Sequence, residues 1–331
     1  MNTVTWGILS TAKIGLEKVI PAIQQAEKCI VKGIASRSKE KANFASKKLD
    51  IPNSYGSYKE LLADHSIDAI YNPLPNHLHV PKTVESLEAG KHVLCEKPIA
   101  LNSQEAQELI QKVNGYPNLK VMEAFMYRFH PQWKKAKSLV SDGEIGTLKT
   151  VSSFFSYYND DPNNIRNKPD MGGGGLMDIG CYCISLSRFL FDEEPTDISG
   201  CWKIDPKFKT DYLASGTLEF NSGTATFTCA TQTVSHQQVT IIGTDGRIII
   251  EIPFNAPSDQ KTKIWLFKGG AKEEITFPPV NQYTLQAKAF SDAVIKDCPV
   301  PTPLTDAVNN MIAMDTFRKS AMNKSNSSLL H

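Results

Sequence analysis

Residues Gly90–Pro98 read GKHVLCEKP and give the strongest indication of the fold. The apolar run of this stretch, His92–Cys95, ends in the charged pair Glu96 and Lys97 and then a proline. The glycine closes a preceding helix, and the proline stops the strand and fixes the direction in which the chain leaves it. A lysine at the carboxyl end of a buried parallel strand lies where open α/β sheets bind ligands. The pattern therefore predicts a parallel sheet with a ligand site that includes Lys97.

Apolar strands and helical patterns alternate on both sides of this stretch. The predicted strands are Val4–Leu9, Ile30–Ala35, Ala69–Asn72, His92–Cys95 and Lys120–Glu123. The predicted helices are Ser10–Ala26 with a break at Pro21, Lys39–Leu49, Tyr58–Ala63, Val80–Ala89 and Ser103–Val113 with Ser103 as its N-cap. Alternation at this spacing predicts a doubly wound parallel sheet over residues 1–122.

The character of the sequence changes after about Glu123. Longer alternating runs follow, with hairpin-type turns at 221–223 and 244–246: Thr147–Ser156, Tyr212–Phe220, Thr224–Thr231 and Gln238–Gly243. They predict a second domain, residues 123–331, with a largely antiparallel sheet covered on one face. Closing helices are predicted at Asn281–Lys296 and Thr305–Met322, followed by a frayed polar tail at 323–331. These strands would leave one sheet face apolar and exposed, and an exposed apolar face of that size marks an interface, so we expect a homodimer or a dimer of dimers packed through residues 147–251.

Composition narrows the class of protein. A net charge of +1 over 331 residues offers no basic surface for nucleic acid, and no apolar run is long enough to span a bilayer. The start, Met1–Gly7, enters strand-like sequence without the basic and apolar segments of a secretory signal. Seven scattered cysteines without a C-x-x-C pattern favour a reduced compartment and suggest no metal site. We therefore expect a cytoplasmic protein that acts on a small molecule.

The segment after the first predicted strand has the position of the dinucleotide fingerprint G-x-G-x-x-G. It reads Ser10-Thr11-Ala12-Lys13-Ile14-Gly15, with serine and alanine in place of the first two glycines. Small residues still let the backbone approach a pyrophosphate, and a helix N-terminus supplies N–H donors and a positive dipole end. Dinucleotide contacts are therefore predicted from residues 10–14. The alternative is that Ser10 and Thr11 only cap the helix.

The end of the second predicted strand indicates which dinucleotide is bound. NAD sites usually carry an acidic residue here, which binds the ribose hydroxyls, but this chain has Ser36 and Arg37, with Lys39 and Lys41 behind them. A guanidinium can bind a 2′-phosphate through two hydrogen bonds and stack on the adenine. The sequence therefore predicts NADP rather than NAD. The alternative is that Arg37 is a solvated turn residue.

Two further loops carry polar candidates. The loop after Asn72 contains two prolines, and we expect Leu74, Asn76 and His79 within it to contact the cofactor. A set of polar side chains is predicted to lie in loops that face the ligand cleft: Glu123, Arg128, His130, Tyr157, Asn164 and Arg166. Of these, Arg128 and Tyr157 are candidate substrate contacts and Arg166 a candidate cofactor contact; the alternative for Arg128 is a structural ion pair. The glycines at 172–175 are predicted to provide backbone freedom near the ligand, unless they form a simple flexible turn.

Three segments together resemble one enzyme family. They are Ser10–Gly15, the Glu96-Lys97-Pro98 tip and the run GGGGLMDIGCY at 172–182. The chain resembles the Gfo/Idh/MocA-type oxidoreductases, and the stretch EAFMYRFHP at 123–131 with tyrosine at 182 looks most like the branch of dimeric dihydrodiol dehydrogenase and NADP-dependent D-xylose dehydrogenase. Inositol dehydrogenase-like members usually carry histidine at the position of Tyr182, which argues against an inositol substrate.

The resemblance implies a Rossmann domain followed by an α+β domain whose large open sheet often forms the oligomer interface. It also implies that Glu96 and Lys97 lie beside the cofactor and that Lys97, Asp178 and Tyr182 meet near the nicotinamide. In such enzymes the lysine and the tyrosine serve the proton transfer, and the aspartate orients the substrate. A lysine about 4 Å away stabilises a phenolate by roughly 4 kcal/mol before desolvation opposes it. Whether Tyr182 or Lys97 is the base stays open, because coupled titrations do not assign the proton.

The leading hypothesis is an NADP-dependent dehydrogenase that acts on a secondary alcohol of a sugar, such as D-xylose, or of a cyclic trans-dihydrodiol. The alternatives are a catalytically silent NADP-binding sensor of the same fold and an oxidoreductase that retains its cofactor and couples two sugars. Both Lys97 and Tyr182 are present, and their presence argues against a silent sensor.

Overall fold

The computed structural model describes residues 2–327, which divide into two compact units. The strands are β1 (Val4–Leu9), β2 (Cys29–Ala35), β3 (Asn53–Tyr55), β4 (Ala69–Asn72), β5 (His92–Cys95), β6 (Val121–Glu123), β7 (Leu148–Tyr158), β8 (Asp197–Ile204), β9 (Asp211–Glu219), β10 (Thr224–Ala230), β11 (Gln232–Gly243), β12 (Gly246–Ile250), β13 (Thr262–Lys268) and β14 (Ala271–Phe277). The α-helices are α1 (Ile20–Gln25), α2 (Lys39–Lys48), α3 (Tyr58–Leu62), α4 (His79–Glu88), α5 (Ser103–Val113), α6 (Pro131–Ser141), α7 (Cys181–Phe191), α8 (Gln282–Ile295) and α9 (Leu304–Ser327).

The first unit is built on a six-stranded sheet of order β3-β2-β1-β4-β5-β6 in which every pair is parallel. The predicted doubly wound sheet is confirmed. Strand β4 is buried along its whole length, as expected for a strand covered on both faces. The strand order reverses between β1 and β4, and ligands of such sheets bind at the carboxyl ends of the strands near that reversal. The loops after β1, β2, β4 and β5 therefore share the ligand-binding edge.

Three local details of this unit differ from the sequence prediction or refine it. Strand β3 was not predicted, because it is three half-buried residues long and carries no apolar run. The helix after β1 begins as a π-helical turn, Gly15–Val19, and changes to α-helix at Ile20, next to the predicted break at Pro21. The N-cap of α5 is Asn102 and not Ser103, because the Asn102 side chain accepts the N–H of Glu105 at 2.9 Å.

The first unit also includes Asn281–Val308, which the sequence-based division assigned to residues 123–331. Helix α8 packs on β1 and α1 through apolar and polar contacts. The rings of Trp6 and Phe290 lie 5.4 Å apart, and Thr284 Oγ1 donates to the carbonyl of Ala22 at 3.1 Å. The chain thus returns to its first sheet after 280 residues, and local patterns carry no signal for such a return.

The second unit is built on an eight-stranded sheet of order β14-β13-β12-β11-β7-β10-β9-β8. All pairs are antiparallel except β7 with β10, so the predicted mostly antiparallel sheet is confirmed. The turns at 221–223 and 244–246 join antiparallel neighbours, as predicted. Strands β8, β12, β13 and β14 lie outside the alternating runs from which the sheet was predicted.

One face of the second sheet is buried and carries apolar side chains, among them Val151, Phe227 and Ile241. Helix α7 packs on β7 and β10, and Phe317 of α9 packs on Phe227 with ring centroids 5.2 Å apart. The opposite face is rich in serine and threonine; Ser152 and Thr226 are exposed neighbours on it. The prediction that the exposed face is apolar is therefore wrong, because most apolar side chains of the alternating strands turn to the buried face, and the oligomer interface stays a prediction. Helix α9 continues to Ser327, and residues 328–331 of the predicted frayed tail lie outside the described residues.

The described residues set limits on other kinds of site. Every helix among them is too short or too polar to cross a membrane. Within residues 2–327, no three His, Cys, Asp or Glu side chains come together in an arrangement that could hold a metal ion. All seven cysteines are free thiols, and Cys201 is exposed.

Candidate active site

The loop after β1 has the backbone shape that the dinucleotide fingerprint provides with glycine. Ser10 adopts a left-handed conformation with φ of 76°, and its hydroxyl accepts the N–H of Ala12 at 3.2 Å. That bond lies before the helix, so Ser10 shapes the loop and does not cap the helix. Thr11, Ala12 and Ile14 are half-buried beside it, and Lys13 is exposed. The small side chains leave backbone N–H groups and a helix N-terminus at the sheet edge, which suits a pyrophosphate.

The loop after β2 presents the predicted cation. The Ser36 hydroxyl accepts the N–H of Ser38 at 3.3 Å, and Ser38 in turn caps α2 by accepting the N–H of Lys41 at 3.2 Å. The side chains of Arg37 and Lys41 are exposed. Burial raises the pKa of the Tyr58 phenol, and the positive charge of Arg37 opposes that shift. An exposed guanidinium can bind a phosphate and stack on an adenine.

His79 corrects a prediction. Its ring is buried, with Nδ1 2.7 Å from the carbonyl oxygen of Pro98 and Nε2 2.7 Å from that of Leu74. Both ring nitrogens face the protein backbone, so the side chain is not available to the cofactor. Burial lowers the pKa of His79 to about 4. The residue therefore ties the loop after β4 to the loop after β5, while Leu74 and the half-buried Asn76 stay candidate contacts.

The Glu96-Lys97 tip follows β5 as the sequence predicts. The Glu96 N–H donates to the carbonyl of Asn72 at 3.0 Å, which extends the pairing of β5 with β4. Its carboxylate accepts the hydroxyl of Tyr71 at 2.7 Å. Tyr71 is buried, and burial together with Glu96 raises the pKa of its phenol. Lys97 is half-buried at the ligand-binding edge of the sheet.

In the second unit, Asp178 is the centre of a polar cluster. Its Oδ2 accepts the Tyr157 hydroxyl at 2.6 Å and lies 2.7 Å from Nε of Arg166. Asp178 belongs to a π-helical turn, Leu176–Gly180, that runs into α7; Tyr157 lies near the end of β7 and Arg166 in a short turn. Burial, reinforced by Asp178, raises the pKa of Tyr157, and Asp178 raises the pKa of Arg166. π-Helical turns are frequent at functional sites.

The cluster adds to what was predicted for two residues. Arg166 is predicted as a cofactor contact, and its Nε is paired with Asp178, so the cofactor contact stays a prediction. Tyr157 was predicted in a loop and lies in a strand. The sequence carried no signal that these side chains meet Asp178, because 21 residues separate Asp178 from the tyrosine and 12 from the arginine.

Tyr182 lies in the first turn of α7, one turn after Asp178, and is packed among aromatic rings. Ring centroids of Tyr127, Phe155 and Phe254 lie 5.9, 5.8 and 5.3 Å from its own. Phe254 is fully buried, and its N–H donates to Gln237 at 3.0 Å. Sequence reasoning missed Phe254; its only signal was an apolar residue in a proline-flanked loop. The three rings fix the orientation of the Tyr182 side chain.

Three of the polar side chains predicted to face a cleft have other roles. Glu123 is buried and accepts the N–H of Ile99 at 2.7 Å. His130 is buried, caps α6 through the N–H of Gln132, and has its pKa lowered to about 4 by burial. Neither lies in a cleft, because each satisfies a backbone N–H group in the interior. Asn164 caps the turn that holds Arg166 by accepting its N–H at 3.1 Å.

Arg128 braces α7. Its Nη2 donates to the Ser185 hydroxyl at 2.8 Å, and its guanidinium lies over the ring of Phe189 at 5.3 Å. The Tyr127 hydroxyl is 2.9 Å from the same serine hydroxyl. A substrate contact from Arg128 stays a prediction.

The glycines before α7 provide space for close packing. A Cβ at Gly173 would lie 2.5 Å from the carbonyl oxygen of Arg166, and one at Gly174 would collide with the carboxylate of Asp211. Gly174 has φ of 115°, and its N–H donates to the Arg166 carbonyl at 2.8 Å. The glycines therefore let the chain approach Arg166 and Asp211.

Comparison with known proteins gives matches over nearly the whole chain. The family model described as an oxidoreductase family with an NAD-binding Rossmann fold matches residues 4–125, and that of the GFO/IDH/MocA C-terminal domain matches residues 133–249. An uncharacterised oxidoreductase, ORF334, of Rhizobium meliloti is 40% identical over 327 residues, 97% of this chain and 98% of the relative. D-xylose 1-dehydrogenase (NADP(+)) 2 of Haloferax volcanii is 36% identical over 318 residues, 96% of this chain and 97% of that enzyme.

Solved structures share the fold. A 3-ketoreductase from Actinomadura kijaniata, in complex with NADP and TDP-benzene, has a TM-score of 0.89 at 25% identity and covers 96% of this chain and 98% of its own. Levoglucosan dehydrogenase, in complex with NADH and levoglucosan, has a TM-score of 0.86 at 20% identity and covers 97% and 98%. At 20% identity the second likeness concerns the fold alone.

Proposed function

This chain belongs to the GFO/IDH/MocA family of oxidoreductases, and we propose that it is an NADP-dependent dehydrogenase of a secondary alcohol in a sugar or a cyclic vicinal diol. Family membership makes it an NAD(P)-dependent enzyme that acts on CH–OH groups. The proposal that the substrate is a sugar or a cyclic vicinal diol rests on one observation. A single turn of helix presents Asp178 and Tyr182 together, and Tyr157 and Arg166 fix the position of Asp178.

The edge of the first sheet fits an NADP molecule. The residues that would hold its pyrophosphate are Ser10, Thr11, Ala12, Lys13 and Ile14, and the left-handed Ser10 keeps their backbone close to the sheet edge. Ser36, Arg37 and Lys41 would hold the 2′-phosphate, and Leu74, Asn76, Glu96 and Lys97 the nicotinamide end. When bound, the nicotinamide accepts or donates the hydride.

We assign the proton transfer to Lys97 and Tyr182, acting together as one acid–base pair. Oxidation of an alcohol requires a base that accepts the hydroxyl proton as the hydride leaves, and reduction requires the reverse. A tyrosine lowers this barrier best when a nearby cation stabilises its phenolate. The aromatic cluster around Tyr182 restricts its ring to one orientation, which favours transfer along a fixed direction.

Asp178 is proposed to orient the substrate. Two donors, the Tyr157 hydroxyl and the Arg166 guanidinium, converge on its Oδ2, which fixes the carboxylate. A fixed carboxylate one helical turn from Tyr182 can accept hydrogen bonds from neighbouring hydroxyls of a sugar or a diol. Vicinal hydroxyls therefore suit this site better than an isolated alcohol.

The relatives support the substrate class. The Haloferax relative is named a D-xylose 1-dehydrogenase with NADP, and it matches along nearly its full length. Trans-1,2-dihydrobenzene-1,2-diol dehydrogenase of Xenopus tropicalis is 36% identical over 199 residues, 57% of each chain. An aldose such as D-xylose and a cyclic trans-dihydrodiol are therefore the first substrates to test.

The test combines a substrate panel with two substitutions. Aldoses, inositols and cyclic diols are assayed with NADP, and Lys97→Met, Tyr182→Phe and the double variant are compared on the best substrate. Each single change should lower kcat by on the order of 10²–10⁴, and the double variant should be scarcely worse, because residues that act as a unit are non-additive. Tyr116→Phe and Lys112→Met serve as matched controls, because Lys112 lies in α5, Tyr116 follows that helix, and neither is a proposed site residue.

Two outcomes would count against the proposal. NADPH binding without turnover of any member of the panel would favour the silent sensor. Near-full turnover by Tyr182→Phe, with NADPH affinity unchanged, would remove the tyrosine from the proton transfer.

A further inference from the structure

We propose that Asp211 is a positioning residue that holds the glycine run and the start of the helix carrying Asp178 and Tyr182 in their working geometry. The inference rests on the proposed function for its catalytic consequence and on the contacts of Asp211 alone for its structural part. Asp211 is the first residue of β9 and lies 33 positions after Asp178 in the chain. It forms no part of the predicted set of site residues.

The contacts of Asp211 converge on the entry to the helix. Its Oδ2 accepts the N–H of Leu176 at 2.6 Å, and the N–H of Gly175 also stabilises the carboxylate. The space that a side chain at Gly174 would fill is occupied by Oδ1. The carboxylate therefore satisfies N–H groups that the helix leaves without an intrahelical partner, and it lies in the space that side chains at Gly174 and Gly175 would approach.

The same contacts reach Arg166. The N–H of Gly174 donates to the Arg166 carbonyl at 2.8 Å, and the Arg166 side chain pairs with Asp178. Asp211 thus sets the position of Gly174, and the Gly174 N–H in turn holds the backbone of Arg166. The Arg166 side chain then holds the carboxylate of Asp178. A displacement at Asp211 would shift both the turn that carries Asp178 and one of the two donors that hold it.

The surroundings of Asp211 bear on its charge. It is buried, and burial raises its pKa to about 6, although the helix N–H groups and Arg318 of α9 favour the ionised form. The thiol of Cys229 on β10 also faces it, and burial together with Asp211 keeps that thiol protonated by raising its pKa. Protonation below about pH 6 leaves one carboxyl oxygen as an acceptor but removes the charge that the helix N-terminus stabilises.

The experiment compares Asp211→Asn with Asp205→Asn. Asp205 belongs to the same unit, is buried, and accepts the backbone N–H groups of Lys207 and Phe208 at 2.7 and 2.9 Å, so it is a matched control away from the helix. We measure amide hydrogen exchange of residues 173–182, NADPH affinity, and kcat and KM between pH 5 and 8.

Asp211→Asn should speed exchange of the Leu176 amide by about tenfold and lower kcat at pH 8 by about tenfold or more. NADPH affinity should stay within about twofold. The kcat ratio of unmutated enzyme to variant should shrink towards one as the pH falls through about 6, because the protonated carboxyl resembles the amide. Asp205→Asn should leave all of these quantities unchanged.

A ratio that stays constant with pH, or unchanged exchange at Leu176, would overturn the proposal. Faster exchange in a protein that turns over no substrate would uphold the capping role and count against the proposed function alone. If Asp211→Asn does not fold, the test is made on the unmutated protein, by measuring the exchange protection of the Leu176 amide relative to that of the Lys207 amide. This ratio should decrease when the pH is lowered below about 6, and a ratio that does not change with pH would refute the inference.

Discussion

His79 makes the stability of the first unit depend on pH. Its two ring nitrogens face two carbonyl oxygens at 2.7 Å, which favours the doubly protonated ring, whereas complete burial favours the neutral one. Burial dominates and lowers the pKa from 6.5 to about 4, with the positive charge of Lys97 adding to the effect. The neutral ring donates to one carbonyl only, and which nitrogen carries the hydrogen is not fixed by the heavy-atom positions.

The magnitude follows from proton linkage. The folded-state pKa is depressed, so the stability that His79 contributes is fully present above pH 6.5 and is lost as the pH falls towards 4. Between pH 7 and pH 5 the unfolded chain binds nearly one proton and the folded chain almost none. At roughly 1.4 kcal/mol per pKa unit, the free energy of unfolding should fall by about 2 kcal/mol.

His79→Gln removes this titration. At pH 7 it should cost about 1–3 kcal/mol, because the flexible amide neither fills the volume of the buried ring nor holds a donor in the same place against the carbonyl. The cost should shrink by about 2 kcal/mol at pH 5, where the unmutated protein has lost the contribution of His79. Native-state hydrogen exchange of the amides in β4 and β5 measures the free energy of unfolding of the first unit by itself. The control is His65→Gln, at an exposed histidine.

The opposite sign would refute the reasoning. If the two carbonyls outweighed burial, His79 would be charged in the folded protein, and the cost of His79→Gln would grow as the pH falls. A cost independent of pH would show that His79 does not titrate differently in the folded and unfolded chains.

Two further predictions concern the cofactor and the assembly. The kcat/KM with NADP should exceed that with NAD by at least about tenfold, which is about 1.4 kcal/mol. Arg37→Ala should shrink this gap through the KM for NADP, with Lys47→Ala on α2 as control; equal use of both cofactors by the unmutated enzyme would contradict the role of Arg37. Light scattering at micromolar concentration should show a homodimer or a dimer of dimers, and Thr226→Arg on the open sheet face should dissociate it. A monomer in the unmutated protein would count against that interface.

The fold class can be predicted from the amino-acid sequence, because the signals for both sheets are local. A buried parallel strand appears as an apolar run, so β1, β4 and β5 were predicted within a residue of their observed bounds. The turns at 221–223 and 244–246 determine antiparallel pairing over a few residues, so those hairpins were predicted as well. The position of Lys97 followed from the same logic, because the carboxyl end of a parallel strand is the binding edge.

Which side chains meet depends on how the whole chain packs. Asp178 is joined to Tyr157 and Arg166, and Asp211 to Leu176, by contacts between residues 10 to 40 positions apart, and no local pattern encodes such contacts. Burial likewise determines the role of His79. A histidine in a polar loop is predicted to contact a ligand, but in the structure the His79 ring is buried away from water and its two nitrogens face two backbone carbonyls. Burial and hydrogen-bond geometry depend on the whole packed chain, which is why they assign these roles and the sequence pattern does not.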